Sequence, residues 1–446
     1  MNVKSRREFM QQSAVGIAAT SLIAQKASAQ TVDSAPGSSA GDILAVGLIG
    51  AGGMGSNHLG LLVRRPDVHV THVCDVDQQR LDEAVQTVES NTGRKPEAGN
   101  DLRRMLDDRS LDAVFIASPD HWHAPAAILA LEAGKHVYVE KPCCHNLREG
   151  ELLAAACQRT GKLLQVGTQS RSTEFVRQGI EHLRSGAIGE VLVAKAWNSQ
   201  RRSTIGKASP AAPPPQLDFD FWLGPAPEVP YRSNLLHASW RWFYDFGCGD
   251  IGNDGVHDID VALWGLDPGK DPATAACLGR KCFFDDDQQF PDTQYAIFDF
   301  PQQPGGSRAK QLVFEQRIWS PYVQEGYENG AAFYGTDGML ILGHSVGWKL
   351  FGPRNELLKE VTGSSDLAAH HQNFFDCIRG QQSGLNADVT AGVRAAAIVH
   401  LANIAARVQR VLQYDPASVR IRGDDEADAM VTRRYRDGHW AVPRLA

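Results

Sequence analysis

No apolar run in the 446 residues reaches the roughly 20 positions that a membrane span needs, so no spanning helix is expected. No Cys-x-x-Cys pair occurs among the eight cysteines, and no histidine stands at a zinc-type spacing from them, so no metal is expected. These cysteines read as mostly buried thiols; the adjacent Cys143 and Cys144 are the pair whose exposure would permit oxidation. Positive charge is also short. Lys and Arg number 45 against 52 Asp and Glu. The first 29 residues hold Lys4, Arg6, Arg7 and Lys26 against Glu8 alone, so the body is more acidic still. That balance argues against nucleic acid and against anionic membranes as partners. What remains, 43% apolar and 22% charged residues, is the composition of a soluble globular protein, and the length calls for at least two domains.

The front of the chain reads as an address. Ser5-Arg6-Arg7-Glu8-Phe9-Met10 precedes a moderate apolar stretch from Ala14 to Ala24, and Ala27-Ser28-Ala29 follows. Basic, apolar and small-residue segments in that order predict a twin-arginine signal peptide over residues 1–29, cleaved after Ala29. The expected partner is the twin-arginine export machinery, and the expected location is the periplasm or otherwise outside the cytoplasm, with no stable membrane insertion after cleavage. Residues 30–42, rich in Ser, Gly and Pro, read as a linker.

Residues 43–168 carry the pattern of a dinucleotide-binding Rossmann domain. The apolar run Ile43 to Ile49 suits a strand buried on both faces, and it leads into Gly50-Ala51-Gly52-Gly53-Met54-Gly55. In this setting Gly50 allows the tight turn, Gly52 lets backbone approach a pyrophosphate, and Gly55 permits close helix packing; Gly53 and Met54 complete the loop. A second strand, Val68 to Cys74, ends at Asp75, twenty residues after Gly55. A carboxylate there suits the adenosine ribose and repels a 2′-phosphate, so NAD is expected over NADP. Further strand-like runs at Ala113–Ala117, His136–Val139 and Leu163–Val166 alternate with helical patterns at Ala124–Ala133 and Leu147–Arg159. The alternation predicts a doubly wound parallel sheet. Ligands bind beyond the carboxyl ends of such strands, which gathers Ser118, Pro119, His123, Glu140, Lys141 and Gln169 along one crevice. Lys141 stands out, since the following Pro142 holds it extended at the end of a buried strand.

These residues resemble the glucose-fructose oxidoreductase and inositol dehydrogenase family. The resemblance rests on the glycine-rich loop, Ser118-Pro119 with His123, Glu140-Lys141-Pro142, the block Gly249 to Asp260, Asp218 to Pro225, and Gly335-Thr336-Asp337-Gly338. It implies an NAD(P)-dependent oxidoreductase acting on CH-OH groups and a C-terminal α+β domain, residues 169–446, with an open, mostly antiparallel sheet. One face of that sheet would close the site and the other would make the contacts of a homo-oligomer. Strand-like runs at Val191–Trp197, Gln294–Phe300, Gln311–Ile318 and Ala332–Tyr334 support the sheet independently. His370–Arg379 and Ala391–Val408 read as helices that return toward the first domain.

The block around His257 predicts a helix in which Asp250, Asn253 and His257 share one face. His257 is the expected general base for a substrate hydroxyl and Lys141 its partner; Asp260 reads as structural. Many family members carry Asp four residues before this His. Here Asn253 takes that position, with Asp254 one place later on a different face, and an amide cannot accept a proton. Asn253 would then orient a substrate hydroxyl. Trp240, Arg241 and Arg171 are the expected substrate contacts, since sugars stack on aromatic faces and offer hydroxyls to Arg. The resulting expectation is hydride transfer between a carbinol carbon of a sugar, sugar derivative or cyclitol and a tightly held nicotinamide. Two alternatives stand beside it: a redox-neutral NAD-dependent glycosidase working by transient oxidation, elimination and re-reduction, and a ligand-binding member without chemistry.

Overall fold

The structure, a computed structural model, describes residues 43–302, 308–320 and 322–444. The signal-peptide and linker expectations lie outside them.

Six parallel strands, β1 (Leu44–Ile49), β2 (Val68–Cys74), β3 (Glu97–Gly99), β4 (Ala113–Ile116), β5 (His136–Val139) and β6 (Leu164–Val166), form the first sheet. Their order is β3-β2-β1-β4-β5-β6, the doubly wound arrangement, so the chain reverses direction across the sheet between β1 and β4. All four residues of β4 are fully buried, as a central parallel strand covered by helices on both faces requires. Helices Gly53–Leu62, Asp120–Glu132 and Leu147–Thr160 follow β1, β4 and β5, and each therefore begins at the carboxyl edge of the sheet.

Ten strands form the second sheet: β7 (Val191–Asn198), β8 (Thr274–Arg280), β9 (Thr293–Phe300), β10 (Lys310–Arg317), β11 (Asn329–Gly335), β12 (Met339–Gly343), β13 (Gly347–Phe351), β14 (Leu357–Thr362), β15 (Leu412–Asp415) and β16 (Arg420–Arg422). Every described pairing is antiparallel except β7 with β10. Alternation in β9 and β10 buries one face, where Phe298, Phe314 and Phe333 pack beneath helices Val256–Leu266 and Val389–Val408. The fold is thus a Rossmann sheet followed by a mostly antiparallel one. Strands β8 and β12 to β16 escaped the sequence pattern because they lack runs of β-branched residues, and all but β14 are also short or carry a glycine.

Between β14 and β15 the chain returns to the first sheet. His370 Nε2 lies 2.9 Å from the Val166 carbonyl, and Val389–Val408 packs on Leu147–Thr160. Contrary to expectation, Val389–Val408 is long and apolar enough to cross a membrane, but 72% of its most apolar window is buried in the protein, as in a core helix. The cysteines are unpaired thiols; Cys143 and Cys144 are buried, and the exposed one is Cys282.

Candidate functional site

A cleft of about 750 Å³ opens at the carboxyl edge of the parallel sheet, at the reversal between β1 and β4, and extends to the second sheet. Gly50, Gly52, Gly53, Met54, Asp75, Ser118, Pro119, His123, Glu140, Lys141 and Gln169 all line it. Gly50 has φ +88°, and a Cβ there would meet the Ser118 amide at 2.7 Å. Gly55 lies beneath the lining: its added Cβ would fall 1.9 Å from the Gly50 carbonyl oxygen, so only glycine lets the helix cross the strand end this closely. Gly52 begins that helix with no side-chain cap, and its first turn lines the cleft, where a helix start without a cap suits an anion. Asp75 accepts from the Ala51 amide at 2.7 Å and the Asp77 amide at 2.9 Å, which ties the β2 end to the glycine turn. These residues fit a dinucleotide: a glycine turn, an uncapped helix start and a carboxylate at the end of β2 in one groove. Arg80, Asn100 and His237, which the sequence reading did not single out, line the same end.

In the cleft wall, Glu140 is buried and bonded by His58 Nε2 at 3.0 Å and by Gln169 Nε2 at 3.2 Å. Burial opposes its ionisation, but the His58 hydrogen bond and the charges of His58, Lys141 and His123 outweigh it and hold the carboxyl below its ordinary range. The ring nitrogens of His123 face the carbonyls of Pro142 and Ser118, each at 2.7 Å, and brace the β4 loop against the β5 loop.

Lys141, Asn253 and His257 meet at the far wall, where Lys141 Nζ bonds the Asn253 carbonyl oxygen. The block is helical, with a correction. Ile251–Gly255 forms a wide π turn before the α-helix Val256–Leu266. The wider turn brings Asp254 onto the cleft wall beside Asn253, whereas an α-helical register would have put it on another face. The Asn253 side chain donates to Asp250 Oδ1 at 2.9 Å, so it is engaged inside the protein. Arg202 clamps Asp250 and Asp254 together. His257 is 8% exposed with Nδ1 unpartnered; burial, then the charges of Lys141 and His344, push its ring well below the usual histidine range. The ring is therefore neutral, with Nδ1 carrying no partner, and the same burial and neighbouring charge oppose its protonated form.

Trp240 and Arg241 line the cleft, with the guanidinium 4.7 Å over the indole and Nε buried without a partner. Arg171 does not line it. Its guanidinium makes two bonds to Asp260, at 2.7 and 2.8 Å, which fixes the helix carrying His257. Sequence reasoning missed Asp120, Arg202 and His344. Asp120 sat inside the segment already singled out after β4; His344 and Arg202 lie in loops of the second domain with no local motif.

Comparison with known proteins agrees with this geometry. Residues 44–168 match the model described as "Oxidoreductase family, NAD-binding Rossmann fold", and residues 195–294 and 344–442 match its "C-terminal alpha/beta domain". Curated relatives include an alpha-N-acetylgalactosaminidase of Shewanella oneidensis and a glycosyl hydrolase family 109 protein of Shewanella sp. strain MR-4, each 33% identical over 165 residues. Those alignments span only 35% of this chain and 35% of the relatives. Among solved structures, the WlbA dehydrogenase of Bordetella pertussis with NADH and UDP-GlcNAcA is 18% identical, with TM-score 0.61 over 83% of this chain and 98% of that one. An oxidoreductase of Agrobacterium radiobacter with NAD+, L-tartaric acid and magnesium is 18% identical, with TM-score 0.63 over 84% and 99%. The aldose-aldose oxidoreductase of Caulobacter crescentus complexed with glycerol is 16% identical, with TM-score 0.62 over 83% and 99%. With both halves of the architecture matched by one family's models, the chain belongs to the GFO/IDH/MocA family of NAD-binding oxidoreductases.

Proposed function

We propose that this protein oxidises or reduces a sugar, sugar derivative or cyclitol at a carbinol carbon, using a tightly held nicotinamide dinucleotide, NAD in preference to NADP. One observation carries the reading: the uncapped glycine turn, the Asp75 carboxylate and the Lys141 and His257 side chains face a single cleft. The dinucleotide, when bound, supplies the hydride acceptor. The chain's own residues manage protons and position. His257, kept neutral by burial, takes a hydroxyl proton, and Lys141, fixed on the Asn253 carbonyl, lies beside it. Trp240 offers an aromatic face, while Arg241 and Asp254 offer a donor and an acceptor to further hydroxyls. Structural neighbours in complexes with UDP-GlcNAcA and with glycerol support the substrate class. Asp75 supports NAD, though Arg80, which an added Gly52 Cβ would approach to 3.1 Å, is a cation at the same end.

The redox-neutral glycosidase is the second reading, favoured by 33% identity to family 109 glycosyl hydrolases over the segment aligned. One experiment separates the readings: purified protein is given monosaccharides, cyclitols and nitrophenyl glycosides, with NAD or NADP, while nicotinamide absorbance and products are followed. An absorbance change with a free sugar or cyclitol supports the first. Aglycone release without net absorbance change supports the second. Neither outcome, with an intact fold, leaves a ligand-binding member and removes both.

The twin-arginine segment supports export to the periplasm, and because that route carries folded proteins, the dinucleotide would travel in place. Protein taken from that compartment and denatured should release stoichiometric dinucleotide. The expected homo-oligomer draws support from Leu278, Tyr295 and Ile297, apolar residues exposed on adjacent strands β8 and β9.

A further inference from the structure

His344 belongs to no motif, yet it reaches the cleft from the turn between β12 and β13, the part of the second sheet that faces the dinucleotide domain. Its Nδ1 lies 3.0 Å from Asp258 Oδ1, which fixes the ring and leaves Nε2 free; the side chain is 30% exposed. Its ring stands edge-on to His257, centroids 5.2 Å apart at 87°. Asp258 sits one residue after His257 on the same helix, so one element orients both rings.

We propose that His344 is a second proton-exchanging residue of this site, presenting a hydrogen on Nε2 to a substrate oxygen while His257 presents a lone pair to another. The inference rests on the carbohydrate reading above and assigns it a donor that the Lys141 and His257 pair does not include. The groups facing His344 are Asp258 and Asp254, which favour its charged form, Lys141, which opposes it, and the neutral ring of His257. Burial pushes the ring down, but Asp258, by charge and hydrogen bond, and then Asp254 outweigh it and raise the ring above its usual range. The neighbouring rings are thereby pushed in opposite directions, the arrangement by which a site divides acid from base work. On transfer, the Nε2 bonding pair stays on the ring as a lone pair, the proton bonds to the substrate oxygen, and solvent restores it through the exposed edge. For a free sugar the contact orients a hydroxyl. For a glycoside the same donor serves the departing oxygen, where a proton matters more.

The test pairs substitution with direct titration. In the unliganded protein, histidine ring NMR should show His344 protonating above 6.5 and losing that shift in Asp258→Asn, while His257 stays neutral. With a substrate in hand, kcat/KM should fall at alkaline pH. His344→Gln should lose that limb and about 100-fold in rate, more on a nitrophenyl glycoside than on a free sugar, with dinucleotide binding retained. His344→Gln within twofold of the parent, with the limb intact, overturns the proposal, and so does a His344 ring that titrates no higher than an ordinary histidine. If no carbohydrate is turned over, the functional reading fails instead, and the ring titration still decides the state of His344.

Discussion

Asn253 shows what one amide does in a crowded acid site. Its Nδ2 donates to Asp250 Oδ1 at 2.9 Å, and Asp250 is fully buried, with burial raising its carboxyl and Arg202 holding it back. Restoring the aspartate that many relatives of the resembled family carry would remove the donor and set two carboxylates together. Asn253→Asp is therefore expected to cost about 2 kcal/mol of stability at pH 8, the range for leaving a buried polar group unsatisfied. The sign follows from the direction of the shift: a carboxyl raised in the fold is penalised where the unfolded chain keeps it ionised. The cost is thus fully present at high pH and relieved as pH falls through the raised value. Urea unfolding at pH 8 and pH 5 measures it. Equal costs at the two pH values would mean that the new carboxylate turns away from Asp250.

At the scale of elements, the glycine turn is a contact between a strand end and a helix, and Gly55 is where they touch. A Cβ at Gly55 would stand 1.9 Å from backbone oxygen, which cannot rotate away, so the helix itself must move. Gly55→Ala should weaken dinucleotide binding by at least about tenfold, or roughly 1.4 kcal/mol, and lower the melting temperature. Fluorescence titration against calorimetry checks both, and an unchanged affinity would mean that the helix start is not the pyrophosphate seat. This contact was legible because strand, turn and helix signals fall within one short stretch of chain. The π turn was not. Ile251–Gly255 reads as ordinary helix in sequence, and its widening is set by packing: an added Cβ at Gly255 would meet Phe314 of β10 at 2.7 Å. Asp254 therefore stood on the wrong face in the sequence reading. His344 was illegible for a different reason, since its partner Asp258 lies 86 residues away and only the packing of the Val256–Leu266 helix on the second sheet brings them together. Arg171 has the type and neighbourhood of a substrate ligand but spends its donors on Asp260.

At the scale of the whole molecule, the two sheets are joined through a buried cluster of bases whose charge state bears on holding them together. His121 and His145 come from the dinucleotide domain, His400 from the long returning helix, and Arg433 from the C-terminal segment. Arg433 bonds the His121 carbonyl oxygen at 2.7 Å and pairs with buried Glu149 at 2.8 Å, while His400 Nε2 lies 3.1 Å from the Cys144 carbonyl oxygen. Burial pushes all three histidines down: His121 to about 3, His400 to about 4, and His145 well below its ordinary value. Above pH 6.5 the rings are neutral folded or unfolded, and the cluster makes no pH-dependent difference. As pH falls from 6.5 toward 4, the unfolded chain takes up protons that the fold refuses, so stability declines by up to about 1.4 kcal/mol per pH unit for each ring. The raised carboxyls of Asp120, Asp250 and Asp260 act in the opposite sense, so a single melting curve against pH mixes both. Comparison with His145→Leu cancels what the two proteins share. Calorimetry from pH 7.5 to 4.5 should show the variant and parent running parallel above pH 6.5. Below that the parent should fall more steeply, the gap widening by up to about 1.4 kcal/mol per pH unit, the increment of one excluded proton. Parallel curves throughout would show that His145 gains its proton inside the fold, and the junction would then be held by Arg433 and Glu149 without any requirement that the histidines around them stay neutral.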